Sequence, residues 1–143
     1  MAVISTQAIL LAGGLVLALL GTSRRLPARA FAWAATGLCA LAGFSALFGW
    51  RWLSVGEERL PAWLTATIST DALAIFFAIF APLVGVVVCL SAGEYLERRR
   101  IAHAGEFFGL LLLSLFSVIL LAAAADLIAL YLAIDFLGIT AYA

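Results

Sequence analysis

Lysine does not occur in this chain: all eight basic residues are arginine, and eight carboxylates balance them to a formal net charge of zero. That balance leaves no basic footprint for a nucleic-acid backbone. Charge of either sign is scarce, at 11% of 143 residues, against about 25% in an ordinary soluble domain. Cysteine occurs only at 39 and 89, and histidine only at 103. There is thus no cysteine cluster for iron–sulfur, and neither a glycine-rich dinucleotide loop nor a flavin signature is present. Cys39 and Cys89 both fall within apolar runs and read as small buried hydrophobes, since a disulfide or metal pair would need converging polar partners. His103 lies in an arginine-rich loop and reads as a solvated residue.

What the chain has in quantity is apolar surface. Hydrophobic residues make up 66% of it, with a mean hydropathy of +1.21. A globule of this size could not hide that much from water, so the lipid bilayer is the natural solvent. A spanning helix needs about 20 mostly apolar residues. The first candidate runs from Ala2 to Leu20 and is stopped by "SRRLPAR". Its basic residues follow the apolar stretch instead of preceding it, unlike a signal peptide. The second runs from about Ala30 to Trp50, with Ala32, Thr36 and Ala40 every four positions, which lets another helix approach closely. Trp50 and Trp52 have the character of interfacial anchors. "RWLSVGEERLPAW" is the polar connection to the third span, which opens at "STD", where Ser69, Thr70 or Asp71 can cap a helix. This span runs to about Tyr95 and carries Pro82, an expected kink.

From Phe107 to Ala143 only Asp126 and Asp135 carry a charge at neutral pH. One helix of that length would reach about 55 Å, whereas the hydrocarbon core is about 30 Å thick. The run is therefore expected to fold into a hairpin, with Asp126 capping the second arm. The fold class expected is all-α integral membrane with about five transmembrane helices: residues 1–105 hold the first three, and 106–143 the hairpin. Arg24, Arg25 and Arg29 follow the first span and Arg98, Arg99 and Arg100 the third. By the positive-inside rule those loops are cytoplasmic and the N-terminus faces outward. Glu94, Glu97 and Glu106 are expected at the membrane edge, pairing with the arginine cluster.

Asp135 poses the chemical question. Nine residues beyond the cap it lies roughly 13–14 Å deep, where an aspartate costs roughly 2.5–3.5 kcal/mol on insertion scales. It is therefore expected to face protein or a water-filled cavity. Tyr131, Asp135, Gly138 and Tyr142 share one helical stripe. Folding the hairpin near residue 125 brings residue 115 level with Asp135, so Ser114 and Ser117 are candidate hydrogen-bond or relay partners. The plain reading is that Asp135 ties helices together. The sharper one is an ion or proton site, because burial raises a carboxyl pKa and a nearby cation or water lowers it.

Three stretches together carry a resemblance: "DALAIFFAIF" from Asp71, "SAGEYLERRR" followed by "GEFFGLLLLSLFSVILLAAAADLIALYLAID", and the closing "FLGITAYA". They resemble the N-terminal part of the antiporter-like subunit N family of bacterial NADH–quinone oxidoreductase, respiratory complex I. The resemblance covers essentially the whole chain and is strongest from about residue 71. It implies a subunit of about fourteen helices, of which this chain would be an N-terminal fragment stopping inside the fifth. It also implies a membrane-embedded acid at Asp135, where the family usually has glutamate, acting with a lysine on a later helix in a half-channel for protons. In the family, helices four to eight form one five-helix repeat, of which this chain would hold the first two.

The expected function is a non-redox membrane-arm subunit, contributing to proton translocation coupled to electron transfer from NADH to quinone. The isolated chain is expected to be inactive. No cofactor is expected in this chain; NAD, FMN, iron–sulfur clusters and quinone belong to other subunits. The partners implied are the other membrane subunits of complex I, the rest of the same subunit and the lipid bilayer of the bacterial inner membrane. Three alternatives stand beside this reading. They are a small ion transporter or rotor-type proteolipid, a structural membrane protein with Asp135 as helix glue, and a related subunit of a cation/proton antiporter or hydrogenase complex.

Overall fold

A computed structural model of the chain describes residues 2–21, 27–53, 68, 71–99 and 103–142. Five helices account for nearly all of them: α1 (Ala2–Gly21), α2 (Ala28–Leu53), α3 (Ala72–Arg99), α4 (Ala104–Ala123) and α5 (Leu127–Tyr142). The first four are each long and apolar enough to cross a membrane, and α5 is a shorter apolar helix of 16 residues, about 24 Å at 1.5 Å per residue. The chain is a multi-pass membrane protein. The expected polar connection between spans two and three, and the capping candidates Ser69 and Thr70, lie outside the described residues. So do Arg24, Arg25 and Arg100 and the side chains of Trp50 and Trp52.

Successive helices run antiparallel. Thr6 of α1 meets Ala42 and Ser45 of α2, Arg29 of α2 meets Glu97 of α3, and Phe116 of α4 meets Phe136 of α5. All the ion pairs among the described residues gather at one end of the bundle, the arginine end, as Arg29–Glu97, Arg98–Glu94 and His103–Glu106. Arg99 also lies over the Tyr95 ring there. Glu94 and Glu97 thus pair with arginines as expected, whereas Glu106 pairs with His103 instead of the arginine cluster. The opposite end carries Asp71 and Asp126. There an isolated bridge joins Ile68, just before α3, to Ala124 in the α4–α5 turn.

Two tight seams hold the bundle. Along α2 the buried positions are Ala32, Ala35, Cys39, Ala42 and Ala46, a three–four alternation that keeps one stripe on a neighbouring helix. It packs on Ala74, Ala78, Pro82, Gly85, Cys89 and Gly93 of α3. The seam is therefore offset from the expected Ala32–Thr36–Ala40 stripe. Ala40 is exposed, and Thr36 turns its hydroxyl back on the Ala32 carbonyl at 2.8 Å. Helical twist moves a strict four-residue repeat progressively off the contact line, whereas the three–four alternation stays on it. Cys39 and Cys89 are free and fully buried in this seam, as small apolar fillers. Pro82 sits inside an unbroken α3 with its ring buried.

The second seam joins α1 to α4 and is made of glycine. A Cβ placed on Gly109 would come within 2.7 Å of the Ala18 backbone nitrogen, and one on Gly14 within 2.9 Å of Leu113. Backbone therefore lies on backbone. In lipid, where apolar surface gives helices little reason to associate, such close approach supplies the contact energy.

Candidate proton site on the last hairpin

The α4–α5 turn is built as the sequence predicts. α4 ends at Ala123 and Asp126 stands immediately before α5. Its carboxylate Oδ1 accepts from the Leu127 backbone N–H at 2.7 Å, and its carbonyl accepts from Leu130 N–H at 3.0 Å. An exposed carboxylate there satisfies an otherwise unpartnered helix N–H and favours the positive end of the helix dipole. Asp71 has the matching position before α3, its carbonyl accepting from Ile75 N–H at 3.1 Å.

Pairing across the hairpin follows from the turn. The Phe116 and Phe136 rings meet edge to face with centroids 5.9 Å apart, so residue 116 is level with 136 and Asp135 with 117, two residues from the expected 115. α5 turns Ala129, Ala133 and Thr140 inward. Thr140 donates to the Phe136 carbonyl at 3.0 Å, inside its own helix.

Asp135 lies about 200° round the helix from Ala133, and its side chain is exposed. Tyr131 at 68% and Tyr142 at 98% are exposed on the same side, and nothing stands within 4 Å of where a Cβ on Gly138 would be. The Tyr131–Asp135–Gly138–Tyr142 stripe thus exists as one face, and it faces away from this bundle. Asp135 has no hydrogen-bond or ion-pair partner among the described residues. The expected enclosure of Asp135 is therefore not supplied by α1–α4.

The serines are not brought to it. Ser117 is fully buried and donates to the Leu113 carbonyl at 2.9 Å. Ser114 lines a groove of about 230 Å³ between α4 and α5 with Phe107, Leu110, Leu111 and Thr140. Both lie on the α4 side of the hairpin, whereas Asp135 lies on the far side of α5. Tyr131, one turn before Asp135, is the candidate that shares its face.

Two features escaped the sequence reading. Gly105 and Gly109 form a Gly-x-x-x-Gly pair at the start of α4, whose spacing is a legible helix-contact signal. The other is a buried polar cluster on α1. Thr6 contacts Ser45 Oγ at 3.2 Å, and Ser45 donates to the Ala42 carbonyl at 2.8 Å. Beside it Gln7 is 6% exposed, and its amide nitrogen has no acceptor among the described residues. Gln7 repeats at seven-residue intervals with Gly14 and Gly21, a register that marks it as interior.

Known proteins are similar to this chain in sequence. Over 93 residues the chain is 40% identical to NADH-quinone oxidoreductase subunit N of Protochlamydia amoebophila, a match covering 65% of this chain and 18% of that protein. Over 112 residues it is 36% identical to NADH-quinone oxidoreductase subunit N 1 of Sorangium cellulosum, covering 76% of this chain and 21% of that protein. The chain is homologous to subunit N of NADH–quinone oxidoreductase. A chloroplastic relative, NAD(P)H-quinone oxidoreductase subunit 2 of Chlorokybus atmophyticus, is 42% identical over 72 residues, or 50% of this chain and 14% of that protein. The chain spans about a fifth of the length of the subunit N relatives it matches. No family model and no solved structure matches it.

Proposed function

We propose that the chain acts as a membrane-arm segment of a proton-translocating NADH–quinone oxidoreductase, and that Asp135 is its proton-carrying group. One observation supports this most: a carboxylate about 13 Å beyond the helix cap, on a face of α5 that the other described residues leave uncovered. A charge at that depth in lipid requires a protein or water partner, so the face is completed by helices from outside the described bundle. The partner cation comes from there too, because this chain has no lysine and its arginines lie outside the apolar spans or at their ends. Tyr131 is positioned to donate its hydroxyl towards the same partner surface. Ser114 and Ser117 serve α4 and the hairpin groove.

On this reading the chain binds no NAD, FMN, iron–sulfur cluster or quinone; those belong to partner subunits of the complex, and this chain's share is proton movement and scaffolding. The arginine end faces the cytoplasm of a bacterial cell and the N-terminus faces outward, in line with the arginine bias.

The test is the native complex carrying this chain, reconstituted in proteoliposomes and driven by NADH and a soluble quinone. Asp135→Asn should lower the proton gradient formed per NADH oxidised, and Asp135→Glu should preserve it. Full pumping by a correctly assembled Asp135→Asn complex would refute the assignment. The isolated chain should conduct no protons, because the partner group is not on it.

A further inference from the structure

At the arginine end, α2 and α3 leave between them a cavity of about 210 Å³, lined by Arg29, Ala32, Trp33, Leu90, Gly93, Glu94 and Glu97. Its floor is tight: a Cβ on Gly93 would come within 2.6 Å of the Ala32 Cβ. Its walls are Trp33 and Leu90, 65% and 48% exposed, one turn inside the charged rim. The rim carries both signs. Arg29 Nε meets Glu97 Oε2 at 3.6 Å, a loose single contact for a guanidinium that has five N–H donors. Glu94 pairs with Arg98, and a carboxylate can accept from more than one donor.

We propose that this cavity binds the headgroup of a zwitterionic aminophospholipid of the phosphoethanolamine class. Its position supports a lipid: an aromatic wall below, a charged rim above, and an opening at the level where tryptophan marks the membrane interface. The phosphate lies against Arg29, whose planar fork suits phosphate oxygens. The primary ammonium donates to Glu94 and Glu97. One acyl chain descends along Trp33 and Leu90. The charge pattern selects the class. An anionic headgroup would set its phosphate beside two carboxylates without an ammonium to answer them. A choline headgroup has no N–H to donate to them. The bound lipid would brace the α2–α3 end opposite the Ile68–Ala124 bridge. The inference stands whether or not Asp135 carries protons.

The experiment is native mass spectrometry of the full chain released from mixed micelles holding equal amounts of phosphatidylethanolamine, phosphatidylcholine and phosphatidylglycerol. Retention of phosphatidylethanolamine several-fold above the other two is expected. Glu97→Lys, at a half-exposed side chain, should invert the preference towards phosphatidylglycerol while the chain still elutes as one species. Trp33→Ala should lower retention of phosphatidylethanolamine. Equal retention of the three lipids by the unaltered chain, or a preference that Glu97→Lys leaves unchanged, would overturn the proposal. So would displacement of the lipid by an equal concentration of soluble phosphoethanolamine, which would assign the cavity to a free zwitterion.

Discussion

Helix α4 packs on α1, far from it in the chain, and on α5, next to it in the chain, and it treats the two differently. Against α1 it presents Gly105 and Gly109, so that backbones touch and no side chain fits between. Against α5 it presents Phe116, which meets Phe136 ring to ring, and it leaves a groove beside Thr140. The first interface is a closed seam that any added atom disrupts. The second is side chain on side chain, with room in it, and the helix it holds has its far face bare. The difference teaches that close packing is unevenly spread: among the described helices the acid sits on the one that only a single neighbour secures.

That contrast can be broken most sharply at Gly109. Gly109→Leu would drive a branched side chain into the Ala18 backbone, and the expected cost exceeds about 3 kcal/mol because the neighbouring atoms are main chain and cannot turn aside. Loss of a monodisperse species in detergent would report it. Next, Phe136→Ala should weaken the α4–α5 contact by about 1.5 kcal/mol through the lost edge-to-face pair and burial. Hydrogen exchange should accelerate along α5 and remain unchanged in α1–α3. Asp126→Ala should cost about 1 kcal/mol by uncapping Leu127 N–H, with faster exchange confined to the first turn of α5. Smallest of all, Gly138→Ala should be neutral or stabilising by up to about 1 kcal/mol, since the added methyl meets nothing and glycine is costly within a helix. Strong destabilisation by Gly138→Ala in the isolated chain would show that the bare face of α5 is occupied after all.

Much of the architecture was legible because lipid imposes simple rules. Apolar length sets the number of spans, the carboxylate of Asp126 sets the turn, and hairpin geometry then sets the register to within about one turn, Phe116 meeting Phe136. Glu94 and Glu97 were readable as edge charges because Glu94 falls four residues before Arg98 on its own helix and Glu97 stands opposite Arg29 on the neighbouring one. The partners of Asp135 were not readable in the same way. Level along a hairpin follows from counting residues, but direction round the helix depends on which stripe packs. The choice of Ala129, Ala133 and Thr140 as that stripe turned Asp135 away from Ser114 and Ser117. The small-residue seam was misplaced for a related reason: a four-residue repeat and a three–four repeat look alike over two turns and part company over five.

What the sequence determined by itself is therefore one-dimensional. It set the solvent, the approximate span limits, Asp126 as the cap of the last helix and the distance of Asp135 beyond it, since each follows from chain length, hydropathy and the rise of a helix. Tertiary structure alone decided which faces meet. It placed Gly109 on Ala18, closed Cys39 and Cys89 inside a seam, opened a charged cavity over Gly93 and left Asp135 outside the bundle. Rotation of one helix against another is chosen by the mutual fit of two surfaces, and no single stretch of sequence contains both.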